Sequence, residues 1–499
     1  VTTPDAALSA REFRVVLIGL MLALTLASLD QNIVATALPR ITSELGGLQH
    51  LSWVVTGFLV ASTVSAPLYG RLSDLYGRKP AFTVSIGIFL LGSILCGLAR
   101  GMDQLIAFRT VQGIGAGGLI VLTQTVIGDL VSPRERGRYQ GLFTAVFTAC
   151  SVAGPLLGGL ITEYATWRWI FYVNVPLGGA ALAMILGALP PPPPRSRPQL
   201  DLAGAGLLVV GTCGLLLLLS WGGTTYPWWS PPMWGLAAIA CAAFTLLVRV
   251  ELRVAQPILP PDLFRNRVFV IAVTVIALVS MALFAAVIFL PLMFQLLMGA
   301  GPSQAGLMVA PLMGGVIVSS FFGGRRVSQT GRYKRLPVIG LLVVSTCYTT
   351  LAWATKSSAP ALAIEILLAV MGLGMGLVMP TLTTAIQNAV PRSELGGATA
   401  SAAFFRSLGG ALGVALSGAV LASHLHHLPR ALQAGTAGAD RVTALAPLGN
   451  PLVLGAYRTG LTGAFIASAA IAGTAFCVVL FLPELPLRLT RVQGVPQDS

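Results

Sequence analysis

Four ionisable side chains stand inside long apolar stretches of this sequence: Asp30, Arg109, Glu365 and Arg406. A charge at the centre of a bilayer costs about 2.5–3.5 kcal/mol on insertion scales, so each needs a partner, a wet cavity or a route to the surface. Asp30 lies ~25 Å along its helix from Phe13, and Arg109 lies ~9 Å in from Asp103 on a helix running the other way. The two reach similar depth. A carboxylate in a low dielectric takes up a proton readily, and a guanidinium beside it favours release. Such a pair can load a proton on one side and discharge it when a bound compound or a conformational change alters the balance. A fixed pair that only staples two helices fits the same residues. Arg406 stands about ten residues into its stretch, between Phe404-Phe405 and Gly409-Gly410. It suits a cavity wall or an anchor to backbone carbonyls equally well. Glu365 lies near the end of its stretch and reads as a snorkelling side chain.

These residues must be held by membrane helices. Of 499 residues, 55% are apolar and only 10% charged, well under the ~25% charge of an ordinary soluble domain. Apolar blocks of about 20 residues recur, the length that crosses a ~30 Å hydrocarbon core. No barrel-like alternation occurs, so helices must satisfy the backbone in lipid. Fourteen spans are expected near 13–38, 50–70, 80–99, 104–127, 139–162, 169–189, 203–221, 232–250, 268–292, 303–323, 336–355, 360–385, 396–422 and 457–482. With both termini cytoplasmic, the inner segments hold 22 of the 31 Lys and Arg residues. A miscounted span would spoil that alternation. The first stretch is too long for a cleavable signal and holds Asp30, so it reads as a span.

The formal charge of +14 therefore reports topology and not nucleic-acid binding. All six cysteines fall inside apolar blocks without paired spacing, which argues against disulfides and zinc. His50, His424, His426 and His427 fall in outer loops, and no metal site is expected. No nucleophile–base pair lies at membrane depth, which leaves an embedded enzyme as a remote alternative. The GxxxxGK[ST] phosphate loop is absent, so ATP is not the expected energy source. Nothing resembles a carbonyl filter or a repeated charged ring.

Pro190 to Pro194 form a proline run, a semi-rigid linker after the sixth span. Two inner loops then repeat one pattern. Gly70-Arg71-Leu72-Ser73-Asp74-Leu75-Tyr76-Gly77-Arg78 follows span two, and Gly324-Arg325-Arg326-Val327-Ser328-Gln329-Thr330-Gly331-Arg332 follows span ten. Ser328 stands where the first copy has Asp74. The layout is six helices (1–189), a linker with two inserted helices (190–267), then six more (268–499) with a long outer loop at about 423–456. Parallel halves of this kind are a transporter architecture.

The first loop resembles the signature loop of the major facilitator superfamily, and other stretches resemble its fourteen-span drug:proton antiporter branch. Leu29 to Pro39 resembles that branch's first-span signature, Trp53 to Thr56 its second-span opening, and Leu105 to Gly118 its fourth-span arginine motif. Gly154, Pro155, Gly158 and Gly159 resemble the fifth-span antiporter motif. Trp167 to Phe171 and Asn174-Val175-Pro176 resemble the entry to its sixth span. The resemblance implies an all-α major facilitator fold with two pseudo-symmetric six-helix bundles. It also implies an inner-membrane antiporter, driven by the proton gradient without a cofactor, that exports amphipathic, cationic or lipophilic compounds. A metabolite, lipid or amino-acid-like cargo fits the same mechanism.

On that resemblance Gly70, Asp74, Gly77, Arg78 and Asp129 form a cytoplasmic gate. Asp74 would face a helix N-terminus of the second half, and Arg78 would pair with Asp129. Pro155 would bend span five at its glycine face. Proton coupling is expected at Asp30 and Arg109. Candidates for the substrate cavity are Asp30, Asn32, Gln112, Phe289, Gln295 and Arg406, with Phe284 and Phe294 as neighbours. Trp167 and Trp169 read as an interfacial belt. The expected partners are a small molecule, protons and the bilayer, with no nucleic acid, and the chain is expected to act as a monomer.

Overall fold

A computed structural model describes residues 9–46, 51–190, 201–223, 225–254, 257–357, 359–425 and 451–487. Most of the proline run and the outer segment 426–450, with His426 and His427, lie outside the described residues, as does His50. Fourteen helices among the described residues are long and apolar enough to cross a membrane. In chain order they are α1 (Ala10–Leu45), α2 (Leu51–Tyr76), α3 (Arg78–Gly97), α4 (Met102–Leu130), α5 (Pro133–Tyr164) and α6 (Trp169–Ala188). Next come α7 (Leu202–Trp221) and α8 (Pro231–Glu251). The second set is α9 (Arg267–Met298), α10 (Gln304–Thr330), α11 (Arg335–Ser357), α12 (Ala361–Ala389), α13 (Leu395–Leu425) and α14 (Pro451–Leu480).

Several helices outrun the expected spans at their ends because local signals extend them. Ser132 and Glu135 close a capping box around Pro133, so α5 starts six residues before the apolar run. Ser9 and Glu12 do the same for α1. The two repeated loops each turn on one glycine with positive φ, Gly77 at 96° and Gly331 at 68°. A residue with a Cβ adopts that conformation only with strain.

The repeat is visible in the packing. In the first half α4 packs on α2 and α3, and α1 on α5 and α6; in the second, α12 packs on α10 and α11, and α9 on α13 and α14. The same device brings the helices together in both halves. A Cβ at Gly113 or Gly117 would strike the Phe58 or Ser62 carbonyl oxygen of α2, and one at Gly372 or Gly376 the Leu312 or Val316 oxygen of α10. Small residues let backbones approach where lipid provides no hydrophobic drive.

The halves meet where α2 runs along α13 and α10 along α5. Among the described residues, every hydrogen bond that joins them lies at one end, the basic end, which carries the α2–α3, α4–α5, α10–α11 and α12–α13 loops. The inserted pair α7 and α8 packs together, and α7 touches both α2 and α13. Leu208, Leu247, Ile258 and Phe404 form an apolar cluster there.

Candidate functional site: a buried ion pair and two seams

The side chains of α1, α3, α4 and α6 converge on Asp30, which is fully buried. Its Oδ2 accepts from Arg109 at 2.6 Å, and its Oδ1 accepts from Gln112 at 2.8 Å and from Asn174 at 2.7 Å. Gln112 Oε1 accepts a second bond from Arg109 at 2.8 Å. Ser93 Oγ accepts from Gln112 and Asn174 and donates to the Phe171 carbonyl. The Arg109 guanidinium lies 4.0 Å from the Phe58 ring centroid, a cation–π contact that covers the pair from α2. The carboxylate thus has three donors in a fully buried pocket of the first half. Replacing a buried ion pair by apolar groups is often neutral for stability, whereas removing one partner costs about 3–5 kcal/mol. Stability alone is a weak reason for these residues to be here.

Asp30 and Arg109 lie in direct contact, as their matching depths in α1 and α4 require. The cavity candidates divide. Asp30 and Gln112 have no exposed surface, and Phe289, at 6% exposure, packs into the core of the second half. Asn32, Gln295 and Arg406 are half-buried. Asn32 Nδ2 donates to the Ser28 carbonyl at 2.7 Å. Asn174 and Ser93 were not foreseen as partners of Asp30. Asn174 has a signal in retrospect, because it stands in the Asn174-Val175-Pro176 stretch near the start of α6; Ser93 has none.

The first seam is latched by a carboxylate. Asp74 Oδ1 accepts from Gly396 N–H at 3.1 Å, and Oδ2 accepts from Gly397 N–H at 2.8 Å, at the start of α13. A helix N-terminus presents free N–H groups and a positive dipole end, which an anion satisfies. Arg78 ties the latch to its own half, donating to Asp74 Oδ1, to Ser73 Oγ and to Asp129 Oδ2, each at 2.6 Å. Gly70 has no room for a side chain, because a Cβ there would overlap Ala400 and the Gly396 carbonyl.

The second seam is latched by cations. Arg134 Nε and Nη2 donate to the Ser328 and Gln329 carbonyls at 2.8 and 2.6 Å, at the end of α10. Arg136 donates to the Gln387 carbonyl of α12 at 2.5 Å and to the Gly128 carbonyl at 2.6 Å. Gly137 and Gly324 face one another closely, and Gly141 rests on the Ser320 carbonyl. Nothing in the Arg134–Arg138 run distinguishes these roles from those of a solvated basic loop.

The α5 motif packs on α1 one turn beyond Asp30. A Cβ at Gly154 would come within 2.7 Å of Asn32 Cβ, and Gly158 abuts Ile33 and Thr36. Gly159 meets nothing within 4 Å and takes no part in this contact. Pro155 lies inside the helix and removes one backbone bond there. Trp169 is 55% exposed, as an interfacial residue should be, but Trp167 is buried. The turn before α6 tucks it under α1, where its indole N–H donates to Glu44 at 2.6 Å. No group of three His, Cys, Asp or Glu that could hold a metal occurs among the described residues.

The family model described as Major Facilitator Superfamily matches residues 20–414. The chain belongs to that superfamily. It is 37% identical over 403 residues to "Multidrug transporter protein MdtP" of Bacillus subtilis, covering 81% of this chain and 74% of that protein. It is 36% identical over 481 residues to an uncharacterized MFS-type transporter of Mycobacterium tuberculosis, covering 95% of this chain and 70% of the relative. Among solved structures, the major facilitator superfamily proton:xylose symporter XylE matches with a TM-score of 0.59 at 15% identity, over 95% of this chain and 96% of that one. That likeness is one of fold. The first half's latch lies in the loop that resembles the superfamily's signature, and a protein named a multidrug transporter is among the relatives similar in sequence.

Proposed function

We propose that this major facilitator protein is a proton-coupled antiporter that exports small amphipathic compounds by alternating access, with its basic end in the cytoplasm. The observation that carries the reading is the Asp30–Arg109 pair: an acid fully buried at membrane depth, held by three donors from two other helices. With the basic end latched, the acid is sealed within the first half. Opening the latches lets α1 and α4 shift against each other, and movement of Arg109 away from Asp30 leaves a carboxylate that must take a proton. A relative named a multidrug transporter supports the class of cargo, and relatives named an efflux transporter and an efflux pump support the direction.

The test separates coupling from stapling. Asp30→Asn alone strands the Arg109 charge, so both function and stability are expected to fall. The double variant Asp30→Asn/Arg109→Gln is neutral and of similar shape, and it recovers thermal stability. In proteoliposomes with an imposed pH gradient, the double variant is expected to remain without gradient-driven transport while it inserts and folds normally. Recovery of transport together with stability makes the pair a staple and removes the proposed coupling.

A further inference from the structure

One cation deep in the bundle stands apart from the latches. Arg406 lies eleven residues beyond Leu395 on α13, ~17 Å from the basic end and hence near the middle of a ~30 Å core. Its side chain is half-buried and forms no hydrogen bond or ion pair with any described residue. Its direction follows from its neighbours on the same helix face, since residues three and seven apart in a helix share a face. Ala403, one turn below, packs with Ala66 and Val121 of the first half. Thr399, two turns below, takes a hydrogen bond from Gln387, which also donates to the Gln124 carbonyl of the first half. Arg406 therefore stands on the face of α13 that meets the first half, one turn beyond the closed seam. On the adjoining face, Gly409, Gly410 and Gly413 pack α13 on α9 at Ala277, Phe284 and Met281, so the surroundings are apolar.

No carboxylate of a described span answers this charge. Asp30 is committed to Arg109. Asp103, Glu163 and Glu365 lie within a few residues of the far ends of α4, α5 and α12. A cationic cargo would need an available acid at this depth, and in the closed arrangement none of the described residues offers one.

We propose that the central cavity selects anionic amphiphiles, compounds with one carboxylate or sulfonate on an apolar body, and that Arg406 binds the acid group. The guanidinium offers a planar fork that matches such groups, with apolar contacts beside it. The proposal rests on the reading of the protein as an exporter, and it replaces the cationic cargo expected from the resemblance.

The test uses a matched pair of dyes, 8-anilinonaphthalene-1-sulfonate and its uncharged parent N-phenyl-1-naphthylamine. Binding to purified protein in nanodiscs is read by titration, with empty nanodiscs subtracted. The sulfonate is expected to bind at least about tenfold more tightly than the parent, and Arg406→Gln to remove about tenfold of its affinity while moving the parent by less than about twofold. Arg406→Lys retains most of the preference because the charge persists. Equal affinity of the two dyes, tighter binding of the cation rhodamine 6G, no saturable binding of the sulfonate, or a ratio unchanged in Arg406→Gln each overturns the proposal. The wild-type ratio decides even where a variant folds poorly. Binding needs no gradient, so Arg406-dependent binding without proton-driven transport removes only the exporter reading.

Discussion

Where α2 meets α13, Gly70 rests on Gly396, and Asp74 accepts the first free N–H groups of α13. Where α10 meets α5, Gly324 rests on Gly137, and Arg134 donates to the last carbonyls of α10. The helices correspond, yet the latching charges are opposite. The reason lies in which helix end lacks a partner of its own. α13 starts Leu395-Gly396-Gly397 directly from a 3-10 turn at Arg392–Glu394, and it is Asp74 from the other half that accepts its Gly396 and Gly397 N–H groups. α5 carries its own box of Ser132 and Glu135, so an acid at position 328 would find its N-terminus already served. Ser328 is thus no lost function; that seam is latched from the other direction.

The largest effect is expected where both seams are alike. Gly70→Leu and Gly324→Leu each force a side chain into a backbone contact, and each should hold the basic end open and cut transport to below about 1% of wild type. Labelling of a Thr399→Cys reporter from the basic side should become fast in both. If only one variant opens the seam, the seams are not equivalent closures.

The charged latches come next, and here the seams should differ. Asp74→Asn removes a buried, charge-assisted acceptor worth about 1.5–3 kcal/mol, a shift of roughly 10- to 100-fold toward the open state. Arg134→Ala removes two more exposed bonds and should shift the equilibrium by about tenfold or less. The same reporter measures both, and equal effects would erase the contrast.

Ser328→Asp tests the explanation itself. With the α5 capping box intact, the new acid should change the labelling rate by less than about threefold. In a Glu135→Ala background it should close the seam measurably, because the Ser132 N–H before α5 then lacks its acceptor. A strong effect in the intact background would show that the box does not decide the matter.

The smallest effect concerns an ion pair that latches nothing between halves. Arg168 and, secondarily, Trp167 donate to Glu44 and hold its carboxyl below the usual carboxylate range. A lowered folded-state value means that the stabilisation is present above the ordinary value of about 4.3 and is lost as pH falls through the lower, folded one. Glu44 is largely exposed, so Glu44→Gln should lower Tm only slightly, by an offset constant from pH 8 to about 5 that vanishes in stronger acid. An offset that grows between pH 8 and 6 would point to a different titrating group.

Much of this fold is legible in the sequence, because lipid leaves the backbone few options. Apolar length and the placement of arginines yield fourteen spans, and only their ends move, as at Pro133, where a capping box extends the helix beyond the membrane run. Asp30 and Arg109 are legible for the same reason: a charge in lipid announces itself, and depth can be counted along a helix. Ser93 and Asn174 are not, since uncharged polar residues are common in helix contacts. Arg134 and Arg136 are hidden by an opposite cause. In a basic loop every arginine looks solvated, and only the approach of the second half turns two of them into donors across a seam. That Gln112 and Phe289 are buried is hidden too, because a sequence shows which residue types a helix carries but not which face is turned inward.

The glycine contacts have a consequence for how often the seams can close. A transporter must make and break them in every cycle, so the closed form cannot be much deeper than the open one. Burying a long side chain freezes rotamers at a cost of up to about 1.5–2 kcal/mol, and glycine has none to freeze. Gly70 on Gly396 and Gly324 on Gly137 bring backbone against backbone along surfaces that are already rigid in their own helices. Closure there orders almost nothing that was free before. Reopening likewise releases little disorder that would hold the halves apart.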